Sequence, residues 1–273
     1  MNLTQKYCFI VKDNDFGKKL VTFIGEHYLA SARAIKRTIE QNGAFINGKC
    51  ERFASTKLKA GDEVHFIPVL GSQIITSLYE DDFIQVIDKP AGIVSSPESF
   101  PERLLVHRLD KETTGCLILA KTPEAQKNLE EQFRNRTVKK QYVAICHGVP
   151  KESEGILQTR LAAVHRYQGQ TVYGSGKEGK LAITHWRVMK RSKGSSLIMC
   201  RPQTGRTHQI RVHLKELGVP IVGDYQYDRK KNGVQFARRL LLHAEKVCFT
   251  HPVSGKETEV AAPWPQDFLE YFS

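Results

Sequence analysis

Ten residues near the middle of the chain read VHRLDKETTG, from Val106 to Gly115. They set the carboxylate of Asp110 beside the cation of Arg108 in a turn that ends at glycine, and the apolar run 115–120 that follows predicts a strand. A second charged run, RPQTGRTHQIRVHL from 201 to 214, contains Arg206 and Arg211. Either guanidinium could hold the carboxylate if folding brings the two runs together.

Outward from these runs, residues 78–273 are rich in short strands. A proline-opened helix is predicted from Thr122 to about Arg134, and another from about Thr207 to Leu217, ending at Gly218. Strands are predicted at 83–88, 115–120, 141–147, 155–161, 181–189, 197–201, 240–243, 246–250 and 257–261. Many strands with few helices and no βαβ rhythm predict an α+β domain with a mixed, mostly antiparallel central sheet.

Residues 1–70 predict a separate small α/β domain, joined by a linker at 71–77. Apolar residues at helical spacing predict a helix over 16–29, and Ser31 is a plausible N-cap for a second helix over 32–41. Asn47-Gly48 is a strong hairpin signal. The sequence thus predicts two helices followed by a hairpin and a closing strand near 64–66.

Four cations of this N-terminal domain could contact phosphates. Arg33, Lys36 and Arg37 share one face of the second predicted helix, and Lys49 follows the hairpin turn. A solvated helix face is the alternative interpretation. The pattern SxRxIKRxIxxxGxxxNGK followed by LKxGDxV resembles the alpha-L RNA-binding module of ribosomal protein S-four. The sequence 18–21, KKLV, departs from the RLD usual near the first helix of that module.

Composition favours a polyanionic partner and a reduced compartment. The 273 residues carry a formal net charge of +12, which attracts phosphate backbones. The six cysteines form no metal-binding or disulfide pattern, and those at 116, 146, 200 and 248 lie in or beside apolar runs, which predicts buried thiols. The sequence shows neither an N-terminal leader nor a membrane-spanning apolar stretch, so we expect a cytoplasmic protein.

Two motifs are poor candidates for nucleotide or metal binding. Residues 174–179, GSGKEG, fit GxGxxG, but a strand rather than a helix is predicted to follow, so a flexible hairpin connection is the better interpretation. His208 and His213 are five residues apart and do not share a helix face as two zinc ligands would. Each is better explained by hydrogen bonding or packing.

Residues 74–273 resemble the RluA-type pseudouridine synthases, which isomerise uridine in structured RNA. Five blocks carry the resemblance in the family's order: IDKPAGIV at 87–94, the run 108–115, KKQYVA at 139–144 with Gly148, the run 205–214, and GVPIVGD at 218–224. Thr114 stands where serine is commoner. The resemblance implies the pseudouridine synthase fold, an isomerase activity and no cofactor, metal or nucleotide.

The resemblance also assigns roles to particular residues. It makes Asp110 the catalytic carboxylate, acting as a nucleophile on the sugar or as a base that removes a sugar proton. Arg211 is its expected ion-pair partner, with Arg206 as the alternative. Tyr142 is expected to stack on the uracil and assist proton removal. The residues expected to face the extruded nucleotide are Arg108, which would fill the space it leaves, Arg206 and His208.

The expected substrate is large-subunit ribosomal RNA, because family members with the alpha-L module often modify it. Two alternatives remain at this point: the same chemistry on transfer RNA, and a non-catalytic RNA-binding or ribosome-assembly factor. The presence of Asp110, Tyr142 and Arg211 together favours an enzyme over the latter. We expect a monomer that binds no membrane.

Overall fold

A computed structural model describes residues 6–68, 75–167, 170–228, 237 and 239–271. The chain divides into two compact units, Met1–Gln73 and Ile74–Ser273. The predicted linker at 71–77 lies mostly outside the described residues, and its last two residues, Thr76 and Ser77, already belong to a strand. No described helix is long and apolar enough to cross a bilayer.

The first unit is a four-stranded antiparallel sheet with two helices. Its elements are β1 (Tyr7–Ile10), α1 (Leu20–His27), α2 (Ala32–Glu40), β2 (Ala44–Ile46), β3 (Lys49–Cys50) and β4 (Glu63–Phe66), with strand order β1-β4-β2-β3. The Ser31 side chain caps α2 by accepting from the Ala34 N–H. Asn47 and Gly48 both take positive φ between β2 and β3, as a tight hairpin requires. The helix–helix–hairpin prediction is therefore confirmed.

The second unit is built on an eleven-stranded mixed sheet. Its strands are β5 (Thr76–Glu80), β6 (Ile84–Lys89), β7 (Leu104–Leu105), β8 (Thr114–Ala120), β9 (Lys139–His147), β10 (Glu154–Tyr167), β11 (Gln170–Ser175), β12 (Lys180–Ser192), β13 (Ser195–Pro202), β14 (Leu242–Thr250) and β15 (Glu257–Ala261). The order is β11-β10-β12-β13-β9-β14-β8-β6-β5, with β15 on β14 and β7 on β8. Only the β14–β8 pairing is parallel among the described strands, which confirms the mostly antiparallel prediction.

Three helices lie in this unit: α3 (Pro123–Arg134), α4 (Gln209–Glu216) and α5 (Gln266–Tyr271). The Thr122 side chain caps α3, and Pro123 occupies its first turn as predicted. Helix α4 begins two residues later than expected, because His208 at its N-cap is left-handed with φ 56°. Gly218, with φ 86°, ends the helix.

Strands β8 and β14 approach closely at a glycine. Gly115 has φ 106°, and a Cβ there would lie 2.3 Å from the carbonyl oxygen of Ala244. The parallel register pairs Thr114 with His243 and Gly115 with Ala244. The end of the run 106–115 is therefore fixed to the centre of the sheet, and the loop before it lies between β7 and β8.

Two expectations need correction. The segment 174–179 is not a hairpin between paired strands: it joins β11 to β12, which both pair with β10 rather than with each other, and its two ends lie opposite Leu161 in the middle of β10. A Cβ at Gly179 would lie 2.5 Å from the Arg160 backbone, which explains a small residue there. All six cysteines are free, and three of the four expected to be buried are so, but Cys248 is partly exposed.

Candidate active site

A serine side chain fixes the loop that carries Asp110 through two hydrogen bonds. Ser95 is 2% exposed, and its hydroxyl donates to the Leu109 carbonyl at 3.1 Å while accepting from the Leu109 N–H at 3.1 Å. Both backbone groups of the residue before Asp110 are thus satisfied by one side chain. The Asp110 carbonyl accepts from the Thr113 N–H at 3.0 Å, which closes the turn on the other side.

A buried lysine ties the same loop to the end of β6. Lys89 is fully buried, and its ammonium donates to the carbonyls of Pro90 at 2.8 Å, Ile93 at 3.0 Å and Lys111 at 3.1 Å. Burial lowers its pKa to about 8, against the opposing charges of Glu112 and Asp110. The contact with Lys111 fixes the residue that follows Asp110.

Arg211 contacts Asp110, as the two charged runs suggested, but a second carboxylate holds it more firmly. Its Nη1 lies 3.4 Å from Asp110 Oδ2, whereas Nε and Nη2 donate to the two oxygens of Asp224, each at 2.8 Å. Nη2 also donates to Gln226 at 3.0 Å. Burial would lower the pKa of Arg211, but the charges of Asp224 and Asp110 raise it above its usual range.

The two carboxylates differ in exposure. The Asp224 side chain is 1% exposed and that of Asp110 is 26% exposed. Asp224 is therefore an internal anchor for the guanidinium, and the Asp110 carboxylate remains open on one side to an incoming molecule. A bidentate pair fixes the orientation of the guanidinium, so Asp224 also fixes the direction from which Arg211 meets Asp110.

One aromatic ring packs on the guanidinium, and a histidine ring lies beside that aromatic ring. The ring of Tyr227 lies 4.9 Å below the Arg211 guanidinium carbon, a cation–π distance. Tyr227 Oη accepts from the Tyr173 N–H at 2.9 Å and lies 2.8 Å from Nδ1 of His208. Burial, followed by the charge of Arg211, lowers the pKa of His208 to about 4, so this ring is neutral near pH 7. His208 has the hydrogen-bonding role that its spacing suggested.

Tyr142 lies on β9 and packs against the apolar cluster that includes Leu109 and Leu117. Burial and then the negative charge of Asp110 raise the pKa of its hydroxyl above the usual range. The contact with the cluster around Leu109 places Tyr142 in the region of Asp110, and the raised pKa means that its hydroxyl is protonated near neutral pH.

Arg108 and Arg206 do not pair with Asp110. Arg108 is exposed and forms no hydrogen bond or ion pair with any described residue. Arg206 is partly buried, and its Nε donates to the Leu181 carbonyl at 3.1 Å. Of the two candidate partners for Asp110, the structure brings Arg211 into contact and leaves Arg206 on the backbone of β12.

The four cations expected to contact phosphates are exposed in the first unit. Arg33, Lys36 and Arg37 lie on the outer side of α2, and Lys49 follows the hairpin turn. Lys36 makes one loose ion pair with Glu40 at 3.9 Å. Within the described residues, no ion pair engages the other three.

One group of side chains could hold a metal ion. The ligand atoms of Cys8, Glu63 and His65 lie within 4.8 Å of one another on one face of the β1–β4 pair. The Cys8 thiol donates to Glu63 Oε1 at 3.4 Å, and His65 Nε2 lies 2.7 Å from the same oxygen. Sequence spacing gave no sign of this group, because the strands place residues 55 apart in the chain side by side.

Sequence reasoning missed three residues of the Asp110 site. Asp224 belonged to a quoted block without a role, Tyr227 carried no signal, and Ser95 looked like an ordinary loop serine. Each acts only through tertiary contacts with Arg211, His208 or Leu109. The resulting arrangement is a partly open carboxylate, a guanidinium with fixed orientation and a protonated tyrosine. It can act on a sugar carbon or proton.

Known proteins resemble this chain over most of its length. The family described as RNA pseudouridylate synthase matches residues 101–216. The chain is 32% identical to ribosomal large subunit pseudouridine synthase D of Xanthomonas campestris pv. campestris, over 97% of this chain and 91% of that protein. It is 34% identical to ribosomal large subunit pseudouridine synthase C of Buchnera aphidicola subsp. Schizaphis graminum, over 80% of this chain and 81% of that protein.

A solved structure shows the same fold. Human RNA pseudouridylate synthase domain containing 4 superposes with a TM-score of 0.61 at 26% identity, covering 71% of this chain and 90% of that one. Family match, relatives and fold agree with the resemblance of the five sequence blocks. The chain therefore belongs to the RluA-type family of RNA pseudouridine synthases, isomerases that convert uridine in RNA to pseudouridine.

Proposed function

We propose that this isomerase modifies large-subunit ribosomal RNA and that Asp110 carries out its chemistry. The ribosomal RNA substrate is supported by the names of the relatives, both of which are ribosomal large subunit pseudouridine synthases. The net charge of +12 suits a polyanionic substrate. The observation that carries the catalytic assignment is the 3.4 Å contact between Asp110 and Arg211, at a carboxylate that remains partly exposed.

The reaction breaks the bond from the base nitrogen to the sugar, rotates the base and rejoins it through a ring carbon. Atoms and oxidation state are unchanged, so the reaction needs neither a hydride nor a phosphate donor. Asp110 acts on the sugar, either as a nucleophile or as a base that removes a sugar proton. Arg211 orients the carboxylate, and Asp224 holds Arg211 in place.

Tyr142 supplies a ring for the uracil and a hydroxyl that donates a hydrogen bond late in the reaction. Because its pKa is raised, the hydroxyl stays protonated and serves as a hydrogen-bond donor rather than as a free base. Another group must therefore accept the proton from the ring carbon. Asp110, whose negative charge contributes to the raised pKa of Tyr142, is the acceptor that we propose.

Arg108 is suited to the space that an extruded nucleotide leaves. It immediately precedes the Leu109–Asp110 pair, is exposed, and has no described partner to lose. Extrusion from a stack costs a few kcal/mol, which contacts such as this one offset. We propose that Arg206 and His208, from the second charged run, also contact the nucleotide.

The first unit supports this function as an RNA-binding module of the alpha-L type. Its exposed cations on α2 and after the hairpin offer a surface for phosphates. These cations precede Asp110 in the chain by about sixty residues or more. We further propose that the enzyme is cytoplasmic and monomeric and that it uses no cofactor.

Mapping of pseudouridines in total RNA tests the substrate. Cells lacking the protein are compared with the same cells supplied with the wild-type chain or with the Asp110→Asn variant. We expect one or a few sites in large-subunit ribosomal RNA to appear only with the wild type. Sites confined to transfer RNA would refute the substrate while keeping the chemistry, and no dependent site in any RNA would refute both.

A further inference from the structure

Lys140 stands out because its charge is partly buried without a partner. It lies on β9, two residues before Tyr142, so the pleat places both side chains on the same face of the sheet, about 7 Å apart along the strand. A methyl group at Gly205 would lie 3.8 Å from Lys140 Nζ, which puts the ammonium beside the start of the second charged run. No hydrogen bond or ion pair joins it to any described residue.

The surroundings of Lys140 are basic or neutral. Burial and then the charge of Arg136 lower its pKa to about 8, and Lys140 in turn disfavours the charged form of His107. His107 is already committed, since its Nε2 accepts from the Ile118 N–H at 2.9 Å and its ring stacks on Phe133. The protein therefore gives this ammonium no counter-charge on the sides formed by these elements.

Arg136, whose positive charge acts on Lys140, has a left-handed backbone conformation. It is exposed and adopts φ 60°, a left-handed conformation that non-glycine residues seldom take. It follows the C-cap of α3 and precedes β9, so the turn that presents it leads directly into the strand of Lys140 and Tyr142. This is the position after the C-cap, where helices commonly end in the left-handed conformation, and the Thr137 N–H donates to the Gln132 carbonyl at 3.0 Å to close the helix.

Neighbouring Lys139 shows what an ordinary surface lysine looks like here. It points to the opposite face of β9, is exposed, and pairs with Glu257 at 2.9 Å. Lys140 has lost part of its hydration and gained no such partner. A charge in that state costs folding free energy, so its role must come from something that binds to it.

We propose that Lys140, with Arg136 beside it, forms a phosphate subsite that grips the RNA backbone next to the uridine at Asp110. A backbone phosphate supplies the missing counter-charge, and its position on the Tyr142 face lets the sugar of the same nucleotide reach the carboxylate. The inference rests on the proposed function for its choice of RNA. Lys140 is a binding and positioning residue, and the chemistry remains with Asp110.

The test compares Lys140→Met with Lys140→Arg, and Lys139→Met serves as the matched control. The probe is an unmodified transcript of large-subunit ribosomal RNA, with a transfer RNA transcript as second probe. Affinity is measured across a salt series, and turnover by tritium release from uridine labelled at carbon five. We expect Lys140→Met to raise KM about tenfold or more with a much smaller change in kcat, and to flatten the slope of log affinity against log salt by about one.

Thermal unfolding distinguishes a direct loss of RNA affinity from a loss of folding stability. Removal of a partly buried, unpartnered charge should leave the Tm of Lys140→Met equal to or above that of the wild type. Lys140→Arg should keep both affinity and salt slope, and Lys139→Met should behave as the wild type. Unchanged KM and salt slope in Lys140→Met, or a loss of affinity that follows a fall in Tm, would overturn the subsite. Wild-type turnover on each transcript reports separately on the proposed substrate.

Discussion

At the scale of single residues, one guanidinium serves two carboxylates unequally. Asp224 takes two short contacts at 2.8 Å, and Asp110 receives one contact at 3.4 Å, longer than a strong charge-assisted hydrogen bond. The inequality suits a reactive group, since a carboxylate fully held by a cation would be a poor nucleophile or base. Asp224 stabilises Arg211, and Asp110 is left oriented but available.

Substitutions of Tyr142 can test the role of its ring and the role of its hydroxyl separately. Tyr142→Phe keeps the stacking surface and removes the donor, so we expect RNA affinity within about threefold of the wild type and a single-turnover rate lowered about 10- to 100-fold. Tyr142→Leu should lower both. Filter binding and single-turnover tritium release make the comparison. A Phe variant at wild-type rate would show that the hydroxyl takes no part in the reaction.

The residue pair Asp110–Arg211 could be predicted from sequence, because two charged runs and the family resemblance pointed to the same contact. Asp224 could not be assigned, since nothing local distinguishes a loop aspartate that anchors a guanidinium from one that caps a turn. Tyr227 was missed for the same reason. Its partners come from two distant parts of the chain: Arg211 and His208 from the start of α4, and the Tyr173 N–H from β11.

At the scale of elements, the loop between β7 and β8 is held by contacts from the segment after β6. Ser95 satisfies both backbone groups of Leu109, and Lys89 satisfies the carbonyl of Lys111, one on each side of Asp110. The catalytic carboxylate thus sits on an irregular segment whose neighbours are fixed to a buried strand end. Such support is what precise positioning requires of a loop.

Ser95→Ala should loosen that loop. The change leaves the N–H and carbonyl of Leu109 without partners in a buried place, so we expect the free energy of unfolding to fall by about 1–3 kcal/mol and kcat to fall with it. Ser96→Ala is the control, because the Ser96 hydroxyl interacts with the Ser99 hydroxyl at 3.3 Å and with the exposed Glu98 rather than with Leu109. Urea unfolding and tritium release measure the two effects, and equal behaviour of both variants would remove Ser95 from this role.

Most of the central strands were predictable, whereas three of the edge strands were not. Strands β8, β9, β13 and β14 carry long apolar runs because the core covers them. By contrast β5 and β11 form the two ends of the large sheet, and β1 forms one end of the small sheet. Edge strands bury less of their length, so their apolar signal is weak and sequence reasoning missed all three.

At the scale of the whole molecule, both units carry positively charged residues. Two triple variants with the same net charge can distinguish the effect of where these charges lie from the effect of the net charge. We expect reversal of the α2 cations, Arg33→Glu, Lys36→Glu and Arg37→Glu together in the full chain, to weaken binding of structured RNA about tenfold or more at moderate salt. The reason is that these three exposed residues share one face of a short helix. Affinity is measured on the unmodified ribosomal transcript.

A control with the same change in net charge isolates position. It reverses three exposed lysines of the same unit that lie outside α2, namely Lys12, Lys57 and Lys59. Non-specific attraction predicts equal weakening in the two triple variants, whereas a binding face on α2 predicts a larger effect of the first. Equal affinities would contradict an RNA-binding role specific to α2.

The most direct test of the account is the Asp110→Asn variant. It removes one charge and no volume, and Arg211 keeps its two contacts with Asp224, so folding and RNA binding should stay near the wild type. Tritium release from RNA labelled at uridine carbon five, with Glu102→Gln as an exposed control, is the measurement. We expect pseudouridine formation to fall to background in Asp110→Asn alone, and activity within about tenfold of the wild type would contradict the catalytic role of Asp110.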